Sequence, residues 1–172
     1  MRLASLPLAR TAALALLLSA CDVFGGDSRV VYDRCVTPKD KPQTCFAATE
    51  TAEGTGAAAV KDAIVDVSYV GSIGTATFDS GRFTMTLKRS KGSQVPSGVI
   101  PGFYFGIAGA APEDIREVTL APMKVGGRRR VVVPPNLAYG NEEKRGQGGV
   151  VTIPSQSTLT FDLTLNSVTV VD

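Results

Sequence analysis

Histidine is absent from all 172 residues, and so is tryptophan. The first absence excludes Ser-His-Asp and Cys-His catalysis, histidine-ligated metals and histidine proton relays. Any chemistry must run without a mid-pH general base, unless a carboxylate or lysine is strongly shifted. Aromatic residues are scarce at 6%, and there are only three cysteines. No apolar run approaches the roughly 20 residues needed to span a bilayer as a helix. The formal charge of +2 is misleading, because Arg2 and Arg10 stand in a leading stretch without acids. Over residues 21–172 bases and acids balance, which removes the electrostatic argument for nucleic-acid binding. The run Arg128-Arg129-Arg130 reads as a solvated edge at a strand start. What remains, 44% hydrophobic and 20% charged, is an ordinary globular composition for one or at most two domains.

Residues 1–20 have the form of a secretory signal, with a basic start at Arg2 and Arg10 and an apolar stretch from Ala12 to Leu18. An ordinary cleavage site needs a small residue three positions before the cut, and Leu18 is too large. The order Leu18-Ser19-Ala20-Cys21 instead resembles the bacterial lipobox. That resemblance implies that the Cys21 thiol receives a diacylglycerol and becomes the first mature residue. Two or three acyl chains suffice for stable attachment to a bilayer, at about 0.8 kcal/mol per buried CH₂. Asp22 resembles an inner-membrane retention signal. The expected location is therefore the bacterial cell envelope, facing the periplasm or the exterior.

An exported chain with Cys21 acylated keeps an even pair, Cys35 and Cys45, around a polar loop with Pro38 and Pro42. In an oxidising compartment the pair reads as a disulfide, worth roughly 3 kcal/mol for so short a ring. The rival is a two-cysteine metal site, which the usual Cys/His set cannot close within this chain. Residues 21–50 read as a lipid-anchored tether with this loop, and residues 51–172 as the folded domain. Within that division, residues 47–60 are small and polar and read as linker or irregular approach.

Beyond Lys61 the pattern changes. Val65, Val67 and Tyr69 alternate with polar residues, as do Phe83, Met85 and Leu87, and Leu159, Phe161, Leu163 and Leu165. Period two with threonine and β-branched residues predicts half-buried antiparallel strands. Val131 and Val133 add another, closed by Pro134-Pro135. After Leu165 the parity switches to Val168 and Val170, which predicts a bulge near Asn166-Ser167. A short helix is expected over Ile100–Ala108 and a helical turn over Pro112–Val118. The fold class is α+β, a curved antiparallel β-sheet wrapped on a short helix.

Seven pieces stand in order: VSYVG at Val67–Gly71, TFDS at Thr77–Ser80, FTM at Phe83–Met85, VIPGF at Val99–Phe103, MKVGGR at Met123–Arg128, PNLAYG at Pro135–Gly140, and Ile153-Pro154 with TLTFDL at Thr158–Leu163. Together, over about residues 61–170, they resemble the FKBP-type peptidyl-prolyl cis-trans isomerases. The resemblance implies an FKBP-like fold and an enzyme without cofactor or metal, acting on proline-containing polypeptides and able to take the family's macrolide ligands. It assigns Tyr69 and Phe78 as pocket walls, Phe103 as the floor under the proline ring, and Phe161 as the far side. Met85 stands for a usual aromatic, and Val99 and Ile100 flank the ring. The Ile100 N–H and the Tyr139 hydroxyl are offered to substrate carbonyls, and Asp79 sits at the rim near the rotating carbonyl. Met123 and Leu137 are left as core.

Such a set needs no nucleophile. Rotating an X–Pro bond breaks only amide resonance, against a barrier of roughly 18–20 kcal/mol. A dry cup that binds the twisted amide better than either planar form is sufficient. Several departures surround the pocket mouth. Phe103 replaces a frequent Trp, and the loop after Asp79 is short, so the family's Arg partner for that Asp is missing or replaced by Arg82. Lys88–Gly98, residues 106–122 and Asn141–Gly149 are longer than usual. Two other readings stay open, a non-catalytic FKBP-like binding or chaperone module and a structural envelope lipoprotein with a relic pocket.

Overall fold

A computed structural model describes residues 28–36, 44–87, 95–96, 98–109 and 120–170. Strands β1 (Arg29–Val36), β2 (Thr44–Ala52), β3 (Ile64–Ile73) and β4 (Ala76–Thr86) precede helix α1 (Pro101–Ala108). Then come β5 (Arg128–Val133), β6 (Lys144–Arg145), β7 (Val151–Ile153) and β8 (Leu159–Thr169). Six strands form one antiparallel sheet in the order β1-β2-β5-β8-β3-β4, and β6 pairs with β7 separately. The expected fold class, a curved sheet on one short helix, is the one observed.

The alternation works as the sequence predicts. Val65, Val67, Leu159, Phe161, Leu163 and Leu165 all turn inward and are buried. On β8 the register skips Asn166, since Asp66 pairs with Ser167 and Val67 with Leu165. That skip is the bulge expected at Asn166-Ser167. The Asn166 amide donates to Asp66 Oδ1 at 2.7 Å and to Ser68 Oγ at 2.9 Å, which ties the irregular residue to the neighbouring strand. Met123 and Leu137 are core residues.

Helix α1 begins at Pro101, where a missing N–H costs nothing, and Ile100 is its N-cap. It ends in the left-handed Gly109, whose N–H returns to Phe105 O at 3.0 Å. All of Gly102–Ile107 is buried. Close seating on β5 requires two glycines. A Cβ at Gly102 would lie 2.3 Å from Val133 Cγ1, and one at Gly106 would lie 2.7 Å from Val131 Cγ1.

Two expectations need correction. The boundary at residue 50 falls inside β2, and residues 29–36 and 44–52 are paired strands of the main sheet rather than tether or linker. Ala47–Ala52 pair with β5, and Phe46, Ala48 and Glu50 face the core. Strand β2 escapes notice because, after Phe46, its inward positions hold alanine and glutamate rather than large aliphatics. The arginine run is also not uniformly solvated. Arg128 and Arg130 are exposed, but Arg129, at an inward position of β5, is 2% exposed and paired with Glu50. The register sets Cys35 opposite Cys45 in the β1–β2 hairpin. The helical turn expected at Pro112–Val118, and Cys21 with residues 1–20, lie outside the described residues.

Candidate functional site

Strands β3, β4 and β8, the start of α1 and the turn after β5 converge on one cavity of about 810 Å³. All nine residues that the sequence brings forward for substrate contact line it: Tyr69, Phe78, Asp79, Met85, Val99, Ile100, Phe103, Tyr139 and Phe161. Cys35 and Cys45 belong to the hairpin at the opposite side of the sheet.

The interior of the cavity is a cluster of rings. Phe103 sits beneath Tyr69, Phe161 and Phe83, with ring centroids 5.6, 5.1 and 5.4 Å away. Its contacts with Tyr69 and Phe161 are edge-on, at 88° and 85°, and Phe78 meets Phe161 edge-on at 5.8 Å. Edge-to-face packing of this kind holds each ring against its neighbours' electron-rich faces. Gly71 makes room for it, since a Cβ there would meet Phe78 Cζ at 2.7 Å and Phe161 Cε1 at 2.9 Å.

Strict alternation along β4 would send Phe78 and Asp79 to opposite faces. The register avoids this: Gly71 pairs with Asp79 but Ser72 with Thr77, so Phe78 is the extra residue of a bulge. Consecutive residues thereby both line the cavity. The Tyr69 hydroxyl donates to Asp79 Oδ2 at 2.7 Å, and the Ser80 N–H donates to Asp79 Oδ1 at 2.8 Å. Burial first, and then the Asp79 carboxylate, push the Tyr69 phenol up to about 12, so it remains a neutral donor at ordinary pH.

Two further donors are positioned near the floor. Among the described residues no carbonyl accepts the Ile100 N–H, which stands at the open N-terminal end of α1. Tyr139 follows the turn Pro135–Leu137, and the left-handed Gly140 closes that turn onto Pro135 O at 2.8 Å. The Lys144 ammonium lies 4.7 Å from the Tyr139 ring centroid and pairs with Glu142 at 2.7 Å.

Arg82 does not replace the partner of Asp79. Its guanidinium lines the cavity but bonds Asp66 Oδ1 at 2.6 Å, because Asp66 lies one strand away and is already aimed by Asn166. The Arg82 and Asn166 hydrogen bonds hold the Asp66 carboxyl below its usual value. Phe83 also lines the cavity, although the resemblance gives a role only to Met85 in the FTM motif. Its position two residues before Met85 on one face of β4 was the available signal. Among the described residues no cluster of cysteines and carboxylates comes together that would hold a metal ion.

Comparison with known proteins agrees with this geometry. A family model described as FKBP-type peptidyl-prolyl cis-trans isomerase matches residues 56–166, more than half of the chain. The chloroplastic peptidyl-prolyl cis-trans isomerase FKBP13 of Arabidopsis thaliana is 33% identical over 114 residues, 64% of this chain and 49% of that protein. FK506-binding protein 3 of Candida albicans is 35% identical over 118 residues, 66% of this chain and 22% of that protein. The chain thus spans about half or less of the length of these curated relatives. The crystal structure of AtFKBP13 superposes with a TM-score of 0.56 at 31% identity, covering 71% of this chain and 91% of that structure. Motif order, fold, cavity lining and family match coincide: the chain belongs to the FKBP-type peptidyl-prolyl cis-trans isomerase family.

Proposed function

We propose that this protein accelerates cis–trans isomerisation of X–Pro bonds in polypeptides exported to the same compartment, without cofactor or metal. One observation carries the reading: the nine expected contact residues surround a single ring-lined cavity, with the Tyr69 hydroxyl bonded to Asp79 at its edge. A proline ring seated on Phe103 leaves its preceding amide among Tyr69, Phe78 and Phe161. A planar amide depends on solvation of its separated charge, whereas the twisted amide has lost part of that separation. Excluding water therefore favours the twisted state, and rate follows from that difference in binding. The Ile100 N–H and the Tyr139 hydroxyl hold the flanking carbonyls. Asp79, itself held by Tyr69 and Ser80, presents its carboxylate at the rim.

The test is protease-coupled or NMR exchange measurement on a panel of X–Pro peptides. Acceleration that survives chelators is expected, nearly flat from about pH 6 to 8 because no histidine titrates there. A folded protein that binds the peptides without acceleration would establish the binding-module reading instead. Macrolides of the kind named in the FK506-binding relative are expected to compete for the same cavity.

The setting of this activity is part of the proposal. Residues 1–20 act as a signal, Cys21 is acylated, and the domain is anchored at the envelope; the Leu18-Ser19-Ala20-Cys21 order supports this. No helix among the described residues is long and apolar enough to cross a membrane. Cys21→Ser should release the protein from membranes and abolish lipid labelling. The Cys35–Cys45 disulfide is supported by their opposed positions in the hairpin. Mass spectrometry of non-reduced peptides should recover that cross-link.

A further inference from the structure

We propose that Glu50 and Arg129 form a positioning pair that fixes α1 lengthwise on β5 and so sets the floor of the cavity; only the kinetic part of its test rests on the isomerase reading. Neither residue lines the cavity, and Glu50 lies before the residues that the family model matches. Both are nevertheless buried and directly opposed across β2 and β5. Arg129 Nη2 and Nε donate to Glu50 Oε2 at 2.8 and 3.2 Å. Arg129 Nη1 donates to Gly106 O at 2.7 Å and to Ala121 O at 3.0 Å.

The helix explains why this matters. Its last carbonyls need donors from outside. Phe105 O receives the Gly109 N–H, and Ile107 O receives the Met123 N–H at 2.9 Å. Gly106 O, between them, is answered by a side chain, and α1 carries no basic residue of its own in its last turn. A cation at a helix C-terminus is favourable, but one so deeply buried needs a counter-charge, and Glu50 supplies it.

Gly102 and Gly106 bring α1 close against Val133 and Val131, and this apolar contact has no donor to offer the buried carbonyl of Gly106. Arg129 is the next inward residue of the same strand. Its link to Gly106 O fixes the C-terminal end of a two-turn rigid body whose other end carries Phe103 and the Ile100 N–H.

The full chain should be compared with Glu50→Gln and with the double variant Glu50→Met, Arg129→Met. Readouts are the urea midpoint, the NMR resonances of the Ile100 amide and the Phe103 ring, and kcat/KM on an X–Pro peptide. Glu50→Gln leaves the guanidinium without its counter-charge. A lower midpoint, displaced resonances and a loss in kcat/KM on the order of tenfold or more are expected. The double variant fills the volume without buried charge, so its midpoint should recover, while Gly106 O and Ala121 O still lack their donor. Displaced resonances and reduced kcat/KM that persist despite recovered stability support positioning. A stable double variant with unchanged resonances and undiminished kcat/KM overturns the proposal, and so does a double variant that cannot fold. Should the wild-type chain show no rate enhancement, the isomerase reading fails on its own account, and the resonances decide the positioning claim.

Discussion

Tyr69 is a pocket wall, a hydrogen-bond donor and an ionisable group at once, and each role can be measured. Its folded pKa of about 12 exceeds the ordinary value of 10.0, so folding favours the neutral phenol. That contribution to stability is fully present below about pH 10 and is lost as the pH rises towards 12. An absorbance titration should show a tyrosine ionising near pH 12, and Tyr69→Phe should remove that step. The same variant leaves Asp79 Oδ2 without its donor and should lower kcat/KM about three- to tenfold, the equivalent of one hydrogen bond. Phe103, buried beneath three rings, is a costly site residue to truncate. Phe103→Ala should destabilise the fold by about 3–5 kcal/mol in urea titration and should admit water to the floor. Phe103→Leu should retain more of both stability and rate. The nine cavity-lining residues named from the sequence are legible because they sit inside short ordered motifs. Phe83 opens one of those motifs too, but an aromatic alternating with Met85 along a strand fits the core equally well. The true partner of Arg82 is not legible, because Asp66 and Arg82 are sixteen residues apart and meet only through strand register.

At the scale of elements, α1 lies on β5 through glycines, against their intrinsic preference. Alanine is the better helix former by about 1 kcal/mol, so propensity alone would favour replacing Gly106. The 2.7 Å approach of a new Cβ to Val131 Cγ1 reverses that expectation. Gly106→Ala should cost about 1–3 kcal/mol through overpacking, read from the shift in urea midpoint. Adding Val131→Ala should recover part of the loss, giving a non-additive double-mutant cycle. The strand pattern was legible wherever large aliphatics mark the inward positions, as in β3 and β8. The β8 bulge could also be read, because valines resume on the opposite parity after Asn166. The β4 bulge could not, since one extra residue between Thr77 and Asp79 leaves no trace in so polar a stretch. Strand β2 is hard to read for a related reason: after a single inward Phe46, Ala48 and Glu50 have the composition of a linker.

For the whole molecule, the division into tether and domain gives way to a six-stranded sheet that includes the N-terminal hairpin. A chain beginning at residue 56, where the family match starts, would lack Glu50 and leave the β2-facing edge of β5 bare. Its buried Arg129 would have no counter-charge, a loss in the range of about 3–5 kcal/mol. Circular dichroism and urea titration should find that fragment largely unfolded or aggregated. Reducing a Cys35–Cys45 cross-link leaves those hydrogen bonds in place, so most activity should survive reduction. The order of strands also has a consequence for how the native state is reached. The last strand among the described residues, β8, lies between β5 and β3, and it pairs with residues such as Asp66 about a hundred positions earlier. Without that strand the sheet's hydrogen-bonded ladder falls into two pieces, β1-β2-β5 and β3-β4, which touch only through side chains such as Phe103 of α1. Contacts so distant in sequence make loop closure the slow step, and refolding should fall in the millisecond-to-second range. A chain cut before Leu159 would lose the strand that seats β5 beside β3, and circular dichroism should find it without the native sheet.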